Sequence, residues 1–191
     1  MPPALAGVLA GYEPASSAEA GDLARLRDAA AEPGPGSPWD RRRAVHATAS
    51  AVVVHPPTGR VLLRWHERMG SWLLVGGHGD EGEDVPYAVA RREAEEETGL
   101  HDLAPWPEGV APAPIHRAVV PVPAGKGEPA HEHADLRFVL ATARPDQAVP
   151  ERPSARLRWL PVADARAAVA EDNIRVTLDR VAALLGPLPP A

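Results

Sequence analysis

Residues 71–100 join an apolar run, a glycine-rich acidic loop and a helix with clear ends, and this order restricts how the chain can fold. The run SWLLV predicts a strand, and it leads directly into GGHGDEGED, which is incompatible with the interior of a strand or helix. A helix is predicted from about Pro86, whose missing N–H costs nothing in a first turn, to Thr98. Gly99 suits the left-handed position that ends a helix. The sequence therefore predicts a strand–loop–helix unit.

Strands and helices alternate along the rest of the chain. Before this unit, β-branched and apolar runs predict strands at 47–55 and 60–65. After it, strands are predicted at 115–122, 131–142 and 156–162, followed by helices at 163–171 and 173–185. The order β-β-β-α-β-β-β-α indicates a mixed α/β fold.

The N-terminal part has a different character. Residues 16–31 have the apolar spacing of a short amphipathic helix, and EPGPGSP at 32–38 breaks it as a linker would. We therefore divide the chain into an N-terminal helical extension and linker (1–42), a main domain (43–186) and a tail (187–191).

Composition narrows the classes of function and of metal site. The chain has no cysteine, so disulfides and thiolate metal sites are excluded, and any metal must bind oxygen or imidazole ligands. A net charge of −6 argues against a nucleic-acid partner. No stretch approaches the ~18 apolar residues of a membrane span, and the N-terminus lacks the features of a signal peptide. We therefore expect a cytoplasmic protein.

The predicted helix carries more carboxylates than its neighbouring cations neutralise. Glu93, Glu96 and Glu97 share one face at spacings i, i+3 and i+4, and Glu93 with Glu97 is an unfavourable like-charge pair. A bound divalent cation is the simplest way to stabilise this face. The alternative is a solvated, charged surface helix.

This segment resembles the Nudix hydrolase family, whose box reads G-x5-E-x7-R-E-U-x-E-E-x-G-U, where U is a bulky apolar residue or alanine. Residues 92–100, REAEEETGL, match the second half at every specified position, and Gly77 followed by five residues and Glu83 matches the first half. Eight residues rather than seven separate Glu83 from Arg92, and counting back from Arg92 gives Asp84 instead. Both acids stay candidates for the first glutamate position.

The resemblance implies a Nudix-type α/β/α sandwich with a mixed β-sheet, and an enzyme that cleaves a diphosphate linked to another moiety. By the same resemblance, Glu93, Glu96, Glu97 and the Gly77 carbonyl would hold Mg²⁺ or Mn²⁺, and Arg92 would orient a glutamate. The implied substrate is a small nucleoside diphosphate derivative, either a nucleotide sugar or ADP-ribose-like compound or a nucleoside triphosphate. The alternative is a Nudix-fold nucleotide-binding or regulatory module without turnover.

Several residues outside the box are further candidates. Alternation along HEHADLRFVL predicts one polar face that includes His133 and Asp135, and members of the family often take a base or ligand from outside the box, for which Glu132 is the candidate. A zinc site on His131 and His133 lacks a clear third ligand, and His46 and His116 are interpreted as structural. The remaining candidate substrate contacts are Arg64, Trp72 and His78.

Each of these assignments competes with a simpler one. A solvated strand end would explain Arg64, and core packing would explain Trp72. Many members of the family are dimers, so the N-terminal helix either forms a homodimer contact or covers the core.

Overall fold

The computed structural model describes residues 4–31, 38–125 and 127–186. The tail at 187–191 and all but the last residue of the linker lie outside these ranges. In chain order the elements are α1 Leu5–Ala10, α2 Ser17–Ala31, β1 Val45–His55, β2 Arg60–His66, β3 Ser71–Leu73, β4 Val75–Gly77, α3 Pro86–Thr98, β5 Ala104–Pro105, β6 His116–Val122, β7 His131–Ala141, β8 Leu157–Pro161, α4 Val162–Ala168 and α5 Asp172–Leu185.

Strands β1 and β7 form the centre of one mixed sheet. They pair in parallel from Val45 opposite Glu132 to Val54 opposite Ala141. Strands β2 and β4 pair antiparallel with β1, and β5 and β6 pair antiparallel with β7. Strands β3 and β8 extend the sheet from β2.

Both faces of the sheet are covered by helices. Consecutive residues of β1 point to opposite faces of the sheet, so Val53 belongs to a first hydrophobic cluster and Val54 to a second one. The first cluster contains buried side chains of α1, α2 and α3, and the second contains those of α4 and α5. This arrangement confirms the predicted α/β/α sandwich, because each face of the sheet needs an apolar partner.

The helix predicted in the box is present with the predicted limits. It runs from Pro86 to Thr98, and Gly99 adopts φ 66° while its N–H donates to the Glu95 carbonyl. The predicted N-terminal helix is also present, as α2. Its Leu23 and Leu26 are buried in the first cluster. A homodimer through this helix, and the division of the chain at residue 43, stay predictions.

Three local features differ from expectation. The strand predicted at 71–75 is divided at Leu74, because β3 pairs with β2 whereas β4 pairs with β1. The two short elements α1 and β5 were not predicted, since six and two residues are too few to show a periodic pattern.

Among residues 4–31, 38–125 and 127–186, no helix has the length and apolar character to cross a membrane.

Candidate active site

The helix α3 presents two glutamates to strand β4, and the strand has glycines where they meet it. The Gly76 N–H donates a hydrogen bond of 3.0 Å to Oε2 of Glu97. A Cβ atom at Gly77 would lie 2.5 Å from Oε2 of Glu93, so a side chain at this position would displace that carboxylate. The Glu93 and Glu97 side chains are only 16% and 12% exposed, whereas that of Glu96 is 57% exposed. The predicted carboxylate face therefore has two largely buried members and one at its rim.

Arg92 connects these carboxylates to the loop before the helix. Its Nη1 donates to Oε1 of Glu93 at 2.9 Å and to Oε2 of Glu96 at 3.3 Å. Its Nη2 donates to Oε2 of Glu83 and to the main-chain carbonyl of His78, at 2.8 and 2.9 Å. One guanidinium thus fixes the loop and two of the three helix carboxylates relative to one another.

Burial makes two glutamates of this face, Glu93 and Glu97, harder to ionise. It raises the pKa of Glu97 to about 7, although the nearby Arg64 cation and the Gly76 N–H act in the opposite direction. Burial also raises the pKa of Glu93, against the effect of Arg92. The Nη2 atom of Arg64 lies 3.3 Å from Oε1 of Glu97 and is shared with Glu151. The site consequently holds more buried negative charge than its arginines stabilise.

The polar face of β7 lies beside these carboxylates, as the alternation predicts. Asp135 accepts hydrogen bonds from Thr48 and Ser50 of β1, at 3.0 and 2.9 Å, and from Nε of Arg137 at 2.8 Å. These four residues line a cleft of about 570 Å³ that also contains Glu97. Strand β7 therefore gives this cleft a polar floor.

Three histidines connect this cleft to a second one. His66, His78 and His133 line both the first cleft and a neighbouring cleft of about 870 Å³. Burial lowers the pKa of His78 to about 3 and that of His133 to about 4, so both imidazoles are neutral at pH 7. Neutral imidazoles can accept as well as donate hydrogen bonds, and they can bind metals.

The structure brings most of the predicted residues together, but not all of them. The clefts are lined by Arg64, Gly77, His78, Glu97, His133 and Asp135. Glu132 lies outside them, because alternation along β7 turns its side chain to the opposite face, where it pairs with Arg25. Trp72 packs edge-to-face with Trp65 against the second hydrophobic cluster and does not line either cleft.

Sequence reasoning missed several residues of the first cleft, among them Thr48, Ser50 and Glu151. Thr48 and Ser50 alternate with alanines in the predicted strand, and this polar spacing was the available signal. Glu151 lies in a proline-containing loop without a periodic pattern, and only the tertiary structure brings it to Arg64.

The donor set suits a hard divalent cation. Glu93, Glu96 and Glu97 supply carboxylate oxygens. Gly77 has no side chain between its backbone and the Glu93 carboxylate, so its carbonyl is available as a further oxygen ligand. Mg²⁺ and Mn²⁺ prefer such oxygen ligands. Burial raises the pKa of Glu93 and of Glu97 despite the nearby arginines, and a bound cation would favour the charged form of both carboxylates.

Comparison with known proteins agrees with this geometry. The family model of the NUDIX domain matches residues 45–180, which include the whole sheet and helix α3. No curated protein sequence matches the chain.

Solved structures with the same fold include several hydrolases. A NUDIX-family hydrolase from Clostridium perfringens is 23% identical, with a TM-score of 0.55 over 71% of this chain and 95% of that one. An Ap4A hydrolase from C. elegans is 19% identical, with a TM-score of 0.57 over 73% and 96% of the two chains. The Nudix hydrolase RenU from M. smegmatis is 25% identical, with a TM-score of 0.51 over 71% and 83%. The match to the family model over most of the chain shows that this protein belongs to the Nudix family, whose members hydrolyse diphosphate linkages.

Proposed function

We propose that the protein is a Mg²⁺- or Mn²⁺-dependent hydrolase that cleaves a phosphoanhydride bond in a nucleoside diphosphate derivative. The observation that carries the proposal is the burial of Glu93 and Glu97 against the glycines of β4, beside a cleft large enough for a nucleotide. A merely structural helix would not concentrate partly desolvated carboxylates at the mouth of a polar cleft.

The metal ligands we propose are the carboxylates of Glu93, Glu96 and Glu97 together with the Gly77 carbonyl. When bound, the cation neutralises charge on the diphosphate and makes a water molecule a better nucleophile. The Glu97 carboxylate is largely shielded from bulk water. Its attraction to a bound cation is therefore stronger than that of an exposed carboxylate.

Arginines keep these carboxylates in position. Arg92 holds Glu93 and Glu96 through the same Nη1 atom, so loss of its guanidinium would leave both side chains able to rotate. Arg64 restrains Glu97 from the other side. We assign both arginines a positioning role, because phosphoryl chemistry depends mainly on alignment and on charge stabilisation. Glu132 takes no catalytic role in this proposal, since its side chain lies on the opposite face of β7.

The shape of the clefts indicates where the substrate lies. The two clefts meet at His66, His78 and His133, so one continuous groove passes the carboxylates. Such a groove suits a diphosphate that carries a substituent on each side, as in a nucleotide sugar or an ADP-ribose-like compound. Asp135 and Arg64, which also restrains Glu97, are the substrate contacts we propose in the first cleft.

The test is Mg²⁺-dependent product release from a panel of ADP-ribose, a nucleotide sugar, a dinucleoside tetraphosphate and nucleoside triphosphates. Glu97→Gln keeps the size of the side chain and removes its charge, and we expect it to lower kcat by at least about 100-fold. Glu95→Gln is the matched control, because Glu95 belongs to the same helix but pairs with Arg91. We expect that control to stay within about twofold of the wild type.

Two outcomes would contradict the proposal. Absence of turnover across the whole panel, together with tight nucleotide binding, would indicate a binding or regulatory module. Equal activity of Glu95→Gln and Glu97→Gln would show that the buried carboxylate has no part in catalysis.

A further inference from the structure

Four histidines from three separate segments meet beside the second cleft. His46 lies on β1, His131 and His133 lie on β7, and His78 follows β4 in the glycine-rich loop. The parallel register places His46 directly beside His133, and strand alternation places His131 on the same face. Pairing of β4 with β1 brings His78 to the same place. The sheet topology thus assembles a cluster that is dispersed in the sequence.

The ring nitrogens of this histidine cluster converge. Nε2 of His46 lies 3.0 Å from Nε2 of His78, and Nε2 of His131 lies 3.2 Å from Nε2 of His133. One ring nitrogen from each of His46, His131 and His133 lies within 4.8 Å of the other two. Tetrahedral Zn²⁺ with bonds of about 2.0–2.1 Å holds its ligand nitrogens about 3.3–3.4 Å apart, so small side-chain movements suffice.

Main-chain carbonyls already orient two of the rings for metal binding. Nδ1 of His46 lies 3.0 Å from the Arg43 carbonyl, and Nδ1 of His131 lies 2.9 Å from the Pro129 carbonyl. A carbonyl only accepts hydrogen bonds, so each Nδ1 carries the hydrogen, and the metal-binding form of each ring is the one with its lone pair on Nε2. Both Nε2 atoms point into the cluster. Metal-binding histidines are held in the same way, by a hydrogen bond from the second ring nitrogen.

We propose that His46, His131 and His133 form a transition-metal site for Zn²⁺, with His78 as the neighbouring fourth imidazole. The site is distinct from the carboxylate site, and the inference does not depend on the proposed hydrolase function. Imidazole nitrogen suits Zn²⁺ and similar ions, whereas the carboxylates of α3 suit Mg²⁺ or Mn²⁺. The third ligand that sequence reasoning could not find is His46, which it had interpreted as structural.

The metal would connect the glycine-rich loop to the sheet. The His78 carbonyl accepts a hydrogen bond of 2.9 Å from Arg92, so its backbone contacts the carboxylate site while its ring contacts His46. Zn²⁺ bound to His46, His131 and His133 would restrain β1 and β7 together, and His78 as a fourth ligand would add this loop. We therefore expect Zn²⁺ to raise the melting temperature even when Mg²⁺ is in excess.

The experiment uses the whole 191-residue chain, stripped of metal with a chelator and dialysed against Zn²⁺ in millimolar Mg²⁺. We expect one tightly bound Zn²⁺ per chain by elemental analysis, and a Co²⁺-substituted protein with the intense visible absorption of tetrahedral nitrogen coordination. His131→Gln and His133→Gln should each weaken Zn²⁺ binding by at least about tenfold. These two side chains are partly exposed, so both variants should fold even if a change at the buried His46 does not.

Two control variants locate the ion. His66→Gln removes an imidazole that lines both clefts but lies outside the histidine cluster, and Glu97→Gln removes a carboxylate of the first site. Both should keep the wild-type Zn²⁺ affinity. No stoichiometric Zn²⁺, or Zn²⁺ binding that survives His131→Gln and His133→Gln, would overturn the proposal and indicate that the histidines only pack together. Loss of Zn²⁺ binding in Glu97→Gln would overturn it as well, by assigning the ion to the carboxylates.

Discussion

The guanidinium of Arg92 forms a two-pronged ion pair with Glu83, donating from Nε to Oε1 at 3.2 Å and from Nη2 to Oε2 at 2.8 Å. The same Arg92 side chain lowers the pKa of Glu83. Asp84, the other candidate for the first acidic position of the box, instead contributes its main-chain carbonyl to a hydrogen bond from the Leu5 N–H. We therefore infer that Glu83 takes the first acidic position and that the extra residue lies between Glu83 and the start of the helix at Pro86.

This ion pair predicts different effects of two neighbouring substitutions. Glu83→Gln removes the charge that holds Arg92, and the resulting displacement of Glu93 should lower kcat by about 10- to 100-fold. Asp84→Asn is the matched control, with an expected change of less than about twofold. Steady-state kinetics with Mg²⁺ measures both. A larger loss in Asp84→Asn would show that Asp84 takes the acidic position.

The two adjacent glycines of β4 should tolerate alanine differently. In Gly77→Ala the new methyl group meets the carboxylate end of Glu93, a flexible group that can move away. Activity should fall by more than about tenfold while the fold is retained. In Gly76→Ala the methyl group meets the Ala49 backbone, and φ is 148°, so we expect a large loss of stability. Kinetics and thermal unfolding of both variants distinguish these effects, and similar melting temperatures would contradict the prediction.

The buried His116 should make the protein less stable in acid. Burial lowers its pKa from 6.5 to about 4 in the folded state, and its Nδ1 lies 2.8 Å from the hydroxyl of Thr177. The unfolded chain therefore binds a proton more readily, and this contribution to stability, complete above pH 6.5, is lost as the pH falls toward 4.

A glutamine in place of His116 cannot gain a proton, so it removes the contribution of this residue to the pH dependence of stability. His116→Gln should show a smaller decrease in unfolding free energy between pH 7.5 and pH 4.5 than the wild type does. The exposed His101→Gln is the control and should behave like the wild type. Denaturant titrations at the two pH values measure the difference. An unchanged pH dependence in His116→Gln would disprove the role of this residue.

The ion pair between Arg25 and Glu132 predicts a structural rather than a catalytic effect of Glu132. The Arg25 side chain is 48% exposed, so the ion pair should contribute no more than about 1 kcal/mol to the stability of the fold. Glu132→Gln should keep kcat within about twofold of the wild type, and Arg25→Gln should have the same small effect on stability. A loss of kcat near that of Glu97→Gln would restore Glu132 as a candidate base.

Local sequence determined the helix of the box and the composition of the carboxylate face. Pro86 and Gly99 specify where α3 begins and ends, because each favours a backbone conformation that depends only on its neighbours along the chain. Helical spacing then places Glu93 and Glu97 on one face in any fold. Alternation similarly predicted the polar face of β7 that contains His133 and Asp135.

Only the tertiary structure decided what these faces meet. Strand β1 pairs with both β4 and β7. Its pairing with β7 joins residues that are 87 positions apart in the sequence, such as Thr48 and Asp135, which share a hydrogen bond. It also brings His46 to His131. Which strands become neighbours depends on burying both faces of one sheet, a property of the whole chain that no short pattern specifies.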